Sequence, residues 1–368
     1  MFRRRPDTLP PDPVFEPELK KLGFFINEHD QIRMIKNREA KYSFSINKND
    51  RVNYAYREAS NAAIYAIVRE RLEKRDFDMV RLPLGATKDE KHIPIVVSKS
   101  IASRDRVIVL FGERSLPPGI LSWRILGDEG INVGSVVDFV TSAVTGPSPS
   151  PEHSAPGIII ANPSQLLWYR GGGRAVSDSE WLHLPRATAV SEPMKFDPVK
   201  NRVPGNETFE AHVQFMFEEV LSKLVHKDAS IDIVGAEFPG SAVVDYLASH
   251  WDKWSKRITG IALVAPQHKI QDLIATDAPA DFVNFLSLRA RAYFVSPQKL
   301  ERPMAGRKEF GCNCYASGEE FYQENAIVRS WKSILDWFNR LYADPDFEEV
   351  PFDGDDGGEG AEEVKLGW

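Results

Sequence analysis

Cysteine is nearly absent: two in 368 residues, Cys312 and Cys314, one residue apart. Side chains two apart on a strand share a face but are poorly spaced for a bridge, so no disulfide framework is expected. A Cys-x-Cys metal site would need further thiol or imidazole ligands close by, and none stands there; these cysteines read as buried structural thiols, and no metal or cofactor is expected. No apolar run approaches the roughly 20 residues of a membrane helix. The basic start Arg3-Arg4-Arg5 is followed by Pro10, Pro11 and Pro13 rather than an apolar stretch, so no signal peptide is expected. Histidine is also sparse, eight in all, and none follows His268.

The composition that remains is that of a globular chain, 42% hydrophobic and 27% charged. The net charge of −7 is uneven, because residues 344–368 carry ten acids and one lysine, which leaves the rest near +2. Residues 344–368 read as an acidic disordered tail and residues 1–21 as a disordered Pro- and Arg-rich segment. Residues 22–343 read as one domain. Its near-neutral charge argues against direct nucleic-acid binding.

Alternating apolar runs fill that domain. Residues 22–26 suit a short strand. Asn49 or Asp50 caps a helix reaching about Arg75. Residues 93–97 suit a strand, placed at an edge by Pro94. Residues 106–111 and 158–161 suit buried strands. A Pro/Ser loop at 146–157 and the irregular stretch 162–205, with Gly171-Gly172-Gly173, read as insertions. Asn206 is read as capping the next helix. Strands at 258–265, 292–295 and 310–315 precede a last helix at about 326–341. Strands and helices in alternation predict an α/β fold, a mostly parallel sheet with helices on both faces.

Residues 231–251 form its centre: an apolar strand, a Gly/Pro turn and an amphipathic helix. In α/β-hydrolases such a turn carries Gly-x-Ser-x-Gly and lifts out a nucleophilic serine. Here the register is Gly235-Ala236-Glu237-Phe238-Pro239-Gly240, with Glu237 in the serine slot and Pro239 in the slot of the second glycine. Ser241 reads as a helix-start residue. The loop that should offer the histidine base contains Tyr322 and Gln323, and the acid slot reads Ser296-Pro297-Gln298. A triad needs nucleophile, base and orienting carboxylate together, so no catalytic residues are assigned. A carboxylate enzyme built on Glu237 would need a second carboxyl nearby, with Glu113, Glu319 and Glu320 topologically available. His268 reads as a satisfied strand-end histidine. Arg289, Arg291, Arg302, Arg307 and Lys308 read as solvated surface.

Several segments together resemble the Argonaute-binding (Arb-type) domain family: Leu22-Gly23-Phe24-Phe25-Ile26-Asn27, Asn49-Asp50-Arg51-Val52-Asn53, residues 107–112, Ala161-Asn162-Pro163, and Phe310-Gly311-Cys312-Asn313-Cys314-Tyr315 with Ser317-Gly318-Glu319. The resemblance implies an α/β-hydrolase-like fold. It also implies a stand-alone, non-catalytic subunit of the fungal Argonaute small-RNA chaperone complex, acting in RNA interference and heterochromatin silencing in nucleus and cytoplasm. Its partners would be another subunit of that complex and, through it, Argonaute with small RNA. No deacetylase domain is expected. Animal relatives keep a serine elbow, from which this chain departs at Glu237 and at Tyr322-Gln323. The alternatives are a hydrolase with an atypical Glu237 centre and a chromatin- or histone-binding module related to the C-terminal domain of fungal histone deacetylases.

Overall fold

The computed structural model describes residue 9 and residues 11–146, 155–188 and 191–352. A small antiparallel pair, β1 (Phe24–Ile26) and β2 (Ile32–Met34), precedes helix α1 (Asp50–Glu73). Asn49 caps α1 by accepting from the Arg51 amide at 3.0 Å. The helix buries Tyr56, Ala63, Ile64, Val68 and Leu72, a stripe at the three-to-four spacing of one helical face.

Strands β3 (Phe77–Leu82), β4 (Ile93–Ser98) and β5 (Arg106–Phe111) follow, then α2 (Trp123–Asp128) and α3 (Val136–Thr145). After β6 (Gly157–Ile160) come the hairpin β7 (Leu167–Tyr169) and β8 (Arg174–Val176), then α4 (Asp178–His183). Helix α5 (Phe209–Phe215) runs through a π-helical turn, Met216–Leu221, into α6 (Ser222–Leu224). The centre is β9 (Ser230–Ala236) and α7 (Glu237–Ser249), followed by α8 (Trp251–Trp254) and β10 (Ile258–Val264). The chain then forms α9 (Ile270–Ala275), α10 (Ala280–Arg289), β11 (Ala290–Phe294), β12 (Pro303–Met304), α11 (Arg307–Phe310), β13 (Asn313–Ala316) and α12 (Gln323–Ala343).

Nine of these strands make one sheet in the order β12-β13-β11-β10-β9-β5-β6-β4-β3. From β6 to β13 neighbouring strands are parallel, while β4 is antiparallel to both its neighbours and β12 is antiparallel to β13. Without β12, the chain-order pattern across the sheet is that of an α/β-hydrolase, with the second strand reversed and the third and fourth exchanged. Two apolar cores, one on each face, bury alternate residues of the same strands: Val107, Val109 and Phe111 on one side, Ile108 and Leu110 on the other. The predicted fold class holds.

Several expectations are corrected. The strand at Pro94 is internal rather than an edge, because β6 pairs only with Val96 and Val97 and leaves the proline without a ladder partner on that side. The edge is β3, where alternation with Asp78 and Arg81 hides a strand of half-buried character. Gly171-Gly172-Gly173 turns the β7–β8 hairpin. The helix after Gly205 is capped by Thr208, not Asn206.

Order also extends beyond residues 22–343 at both ends. Asp12 is buried and accepts from Arg51 Nε at 2.7 Å and the Arg186 amide at 3.0 Å, while Leu19 and Leu22 join the core. At the other end Glu349 is buried, accepting from Arg291 Nε at 2.7 Å and Asn313 Nδ2 at 3.2 Å, and Arg289 donates to the Pro345 and Phe347 carbonyls. Arg289 and Arg291 are therefore ties for the chain end rather than solvated surface. The parts of the two predicted disordered segments at residues 1–8 and 353–368, and most of the 146–157 loop, lie outside the described residues.

The end of β6 is fastened by a buried imidazole. His212 Nε2 accepts from the Asn162 amide at 3.0 Å and Nδ1 faces Asn206 Oδ1 at 2.7 Å, so the neutral ring fits both partners with Nδ1 protonated. Burial lowers its pKa from 6.5 to about 3. The unfolded chain takes up this proton before the folded one, so the contribution is full above pH 6.5 and is lost as pH falls toward 3. It amounts to about 1.4 kcal/mol per pH unit in that window. His212→Gln, which offers one donor and one acceptor without titrating, is expected to flatten the loss of stability between pH 6.5 and 4 measured by urea denaturation. An unchanged slope would show that His212 does not set it.

Candidate functional site

The candidate site lies at the carboxyl ends of β5, β9 and β13, the side of an open α/β sheet where ligands bind. Its centre is the turn from β9 to α7. Glu237 has φ +49°, the left-handed backbone that an exposed elbow residue adopts and that costs a side-chain-bearing residue about 1 kcal/mol. The flanking glycines make the turn possible. A Cβ on Gly235 would lie 2.5 Å from Gly240 Cα, and one on Gly240 would lie 2.6 Å from the Gly235 carbonyl carbon. Pro239 is tolerated because a first-turn residue has no intrahelical use for an N–H. The elbow's backbone is thus that of a hydrolase, while its side chain is a carboxylate.

Gln323 opens α12 and donates from Nε2 to Glu237 Oε1 at 2.5 Å. The structure brings together the two positions that the sequence placed in the nucleophile and base slots. An amide can fill the base's hydrogen-bonding place, yet it carries no titratable proton to shuttle. Ser241 does not cap α7. Its Oγ donates to the Glu237 carbonyl at 3.1 Å and accepts from the Gln267 and His268 amides at 2.7 and 3.0 Å, which ties α7 to the loop after β10. His268 is buried and its Nε2 faces the Phe310 carbonyl at 3.0 Å, which holds the ring in packing. Ser296, in the acid slot, accepts from the Gln298 amide at 3.1 Å.

Three more carboxylates surround the elbow. Glu113, just past β5, is 9% exposed. Desolvation, and then the charge of Glu237, raise its pKa from 4.5 to about 8, against a hydrogen bond from Ser115. Glu324, in the first turn of α12, adds to the same push and pairs with Arg124 at 3.2 Å. Glu319 takes a structural part. It accepts from the Phe321 and Tyr322 amides at 3.1 and 3.2 Å and from Asn325 Nδ2 at 3.2 Å. Burial raises its pKa, but these donors outweigh it and hold the carboxyl below its usual range. Glu320 is exposed. Of the carboxyls the sequence left open, Glu113 is the one whose carboxyl feels the charge of Glu237. A carboxyl raised by burial in this way is a feature that carboxylate enzymes use for a general acid.

The rim was not legible in sequence. Phe238, Phe321 and Tyr322 are 41%, 72% and 45% exposed, and each sits beside the Glu237–Gln323 contact in the chain. Arg114 lies over the Phe238 ring at 4.7 Å and Arg124 over the Tyr322 ring at 3.7 Å. Their signal is only that large aromatic residues follow the two polar site residues. Cys312 and Cys314 are free and buried.

The profile of the Arb2 domain family matches residues 15–300. None of the curated proteins matches the chain. Among solved structures, the chain is similar to a hyperthermophilic esterase from the archaeon Pyrobaculum calidifontis at 11% identity, over 83% of this chain and 93% of that one, with a TM-score of 0.32.

Two outcomes test the site. Glu113 is held neutral in the fold, so its contribution is full below pH 4.5 and is lost as pH rises through about 8. Glu113→Gln is therefore expected to gain thermal stability over the parent between pH 5 and 9, and a constant gap across that range would contradict a Glu113 held neutral by burial. Gly240→Ala forces the β9 end and α7 start apart, and should lower the urea midpoint by an amount equivalent to about 1–3 kcal/mol. A midpoint equal to the parent's would show that the close approach is not needed.

Proposed function

This chain belongs to the Arb2 domain family, and from that premise we propose that it is a non-catalytic binding subunit of an Argonaute small-RNA chaperone complex. The family supports an Argonaute-related protein interaction in the context of RNA interference. The finer reading is that the chain acts as a scaffold upstream of heterochromatin silencing, in nucleus and cytoplasm. The observation that carries the non-catalytic part is the contact between Glu237 and Gln323: an elbow whose base position holds an amide has no proton shuttle for acyl transfer. The partner surface would be protein-facing and would make no base contacts.

The raised Glu113 carboxyl favours one rival, a carboxylate-based hydrolase. Both readings meet in one experiment. Purified full chain is assayed for ester and glycoside hydrolysis beside Glu237→Gln, and a tagged full chain is recovered from its own cells. The expected result is no turnover above the variant, with Argonaute and a second chaperone subunit co-purifying. Turnover that disappears in Glu237→Gln, or recovery of neither protein, would sink the proposal. Binding of histone peptides in place of Argonaute would transfer the chain to the chromatin-module reading.

A further inference from the structure

Residues 344–352 follow α12 and contain no helix or strand. They lie across the amino ends of β11 and β13, at the opposite end of the sheet from the elbow. Beyond the α12 cap at Asp344, and among the described residues, the segment's backbone meets the backbone of the body where the Glu349 amide donates to the Leu288 carbonyl at 3.0 Å. The rest of its hold comes from side chains of the body. Arg289 Nη1 donates to the Pro345 and Phe347 carbonyls, each at 2.8 Å. Arg340 lies over the Phe347 ring at 3.8 Å. Arg291 donates to Glu349 through Nε, at 2.7 Å, and through Nη2. Asn313 Nδ2 and the Tyr315 hydroxyl donate to the same carboxylate at 3.2 and 3.3 Å. The Asn313 amide also brackets the backbone, donating to the Val350 carbonyl at 3.0 Å and accepting from the Phe352 amide at 3.2 Å. The Tyr315 and Phe352 rings meet edge-on, with centroids 5.2 Å apart.

This is the kind of hold a domain has on a bound peptide: a forked cation for one carboxylate, a side-chain amide on the main chain, and an aromatic contact at the far end. Glu349 is 6% exposed, while Val350 beside it is 83% exposed. Glu348 and Pro351 face solvent as well. The contacts therefore read Phe347, Glu349 and Phe352 and leave the positions between them free, which gives the pattern Phe-x-Glu-x-x-Phe. The donors are set by the body. Arg291 rests against the Tyr315 and Trp337 rings at 4.8 and 5.0 Å, and Arg307 donates to Asn313 Oδ1 at 2.8 Å. Donors fixed in this way favour an occupant that brings its carboxylate in the matching register.

We infer that Arg289, Arg291, Asn313, Tyr315 and Arg340 form a peptide-recognition groove that residues 345–352 of the chain itself keep occupied, and that an extended Phe-x-Glu-x-x-Phe segment of a partner protein takes their place. The inference rests on the protein-binding reading above for the existence of a partner. Charge complementarity and the resident segment fix the occupant. Glu301 also reaches Arg291, at 3.4 Å, but through Nη1, which leaves Nε and Nη2 to the segment. A second copy of the chain is a poorer occupant, because its own segment already fills its own groove. The resident segment competes at an effective concentration on the order of millimolar, so the groove opens to a partner as those ties loosen.

The test is the fluorescence anisotropy of a labelled peptide, Asp-Pro-Asp-Phe-Glu-Glu-Val-Pro-Phe, the sequence of residues 344–352, titrated with the full chain at physiological salt. The parent is expected to bind it weakly. Glu349→Gln removes the carboxylate from the resident segment but not from the labelled peptide, and should bind the peptide about tenfold more tightly than the parent. Adding Arg291→Lys, which keeps the charge and loses the fork, should abolish that gain. Phe352→Ala loosens the segment from its other end and carries the same expectation should Glu349→Gln not fold. A segment that only braces the fold would leave these variants less stable with no gain in peptide binding, and that result overturns the inference. So does equal binding of a scrambled peptide of the same composition, or a gain that survives Arg291→Lys. Dimers of the parent that the peptide disperses would put a second copy in the groove and overturn the choice of occupant. The assay contains neither Argonaute nor a chaperone subunit. Peptide binding without co-purification would therefore defeat the complex and spare the groove, and the reverse would defeat the groove alone.

Discussion

The backbone contact between Gly235 and Gly240 governs the carboxyl end of the sheet. Side chains at either position would occupy space the other backbone already fills. Because both are glycine, α7 can start against the last residue of β9, with Glu237 absorbing the reversal at φ +49°. Ser241, one residue on, then reaches the loop after β10. Gln323 at the start of α12 meets Glu237 from the other side. The elements around the candidate site are therefore registered to one another through the elbow.

Buried charge is treated in opposite ways at the two ends of the sheet. At the amino end, Arg106 and Asp232 are 2% and 1% exposed and 2.7 Å apart. Asn339 accepts from the same arginine, and Thr259 donates to the same aspartate at 2.6 Å. These partners leave only Arg106 Nη2 without a hydrogen bond, its guanidinium lying 4.8 Å from the Tyr342 ring centre, and removing one member of the pair would strand the other. At the carboxyl end, Glu113 is buried among like charges and keeps its proton. The first arrangement serves the fold. The second is a perturbed carboxyl behind the elbow, the kind of group that marks a candidate site.

The fold was legible where short-range pattern decides it. Continuous apolar runs gave β5 and β6, and helical spacing gave α1 and α12. Glycine spacing gave the elbow. What escaped depends on partners far apart in sequence. The strap at residues 11–21 is ordered because Asp12 meets Arg51 and Arg186, and residues 344–352 because Glu349 meets Arg291 and Asn313. A local reading sees only proline, arginine and acid there. Strand β3 was hidden because its exposed Asp78 and Arg81 dilute the apolar signal. In the site, Glu237, Gln323 and Glu113 each stood out or were available by position. That Glu113 is the carboxyl the elbow's charge acts on required the fold, as did the turn of Glu319 to the Phe321 and Tyr322 amides before α12.

The elbow has a structural use whatever side chain it carries. The left-handed conformation at Glu237 costs about 1 kcal/mol and the paired glycines cost chain entropy. In return they set the central helix against the central strand, where Val243, Val244 and Leu247 enter the same core as Ile231 and Ile233. That packing does not depend on which side chain the elbow displays. The nucleophile position is thereby free to change while the turn is not. Here it displays a carboxylate that accepts a hydrogen bond from the amide of Gln323.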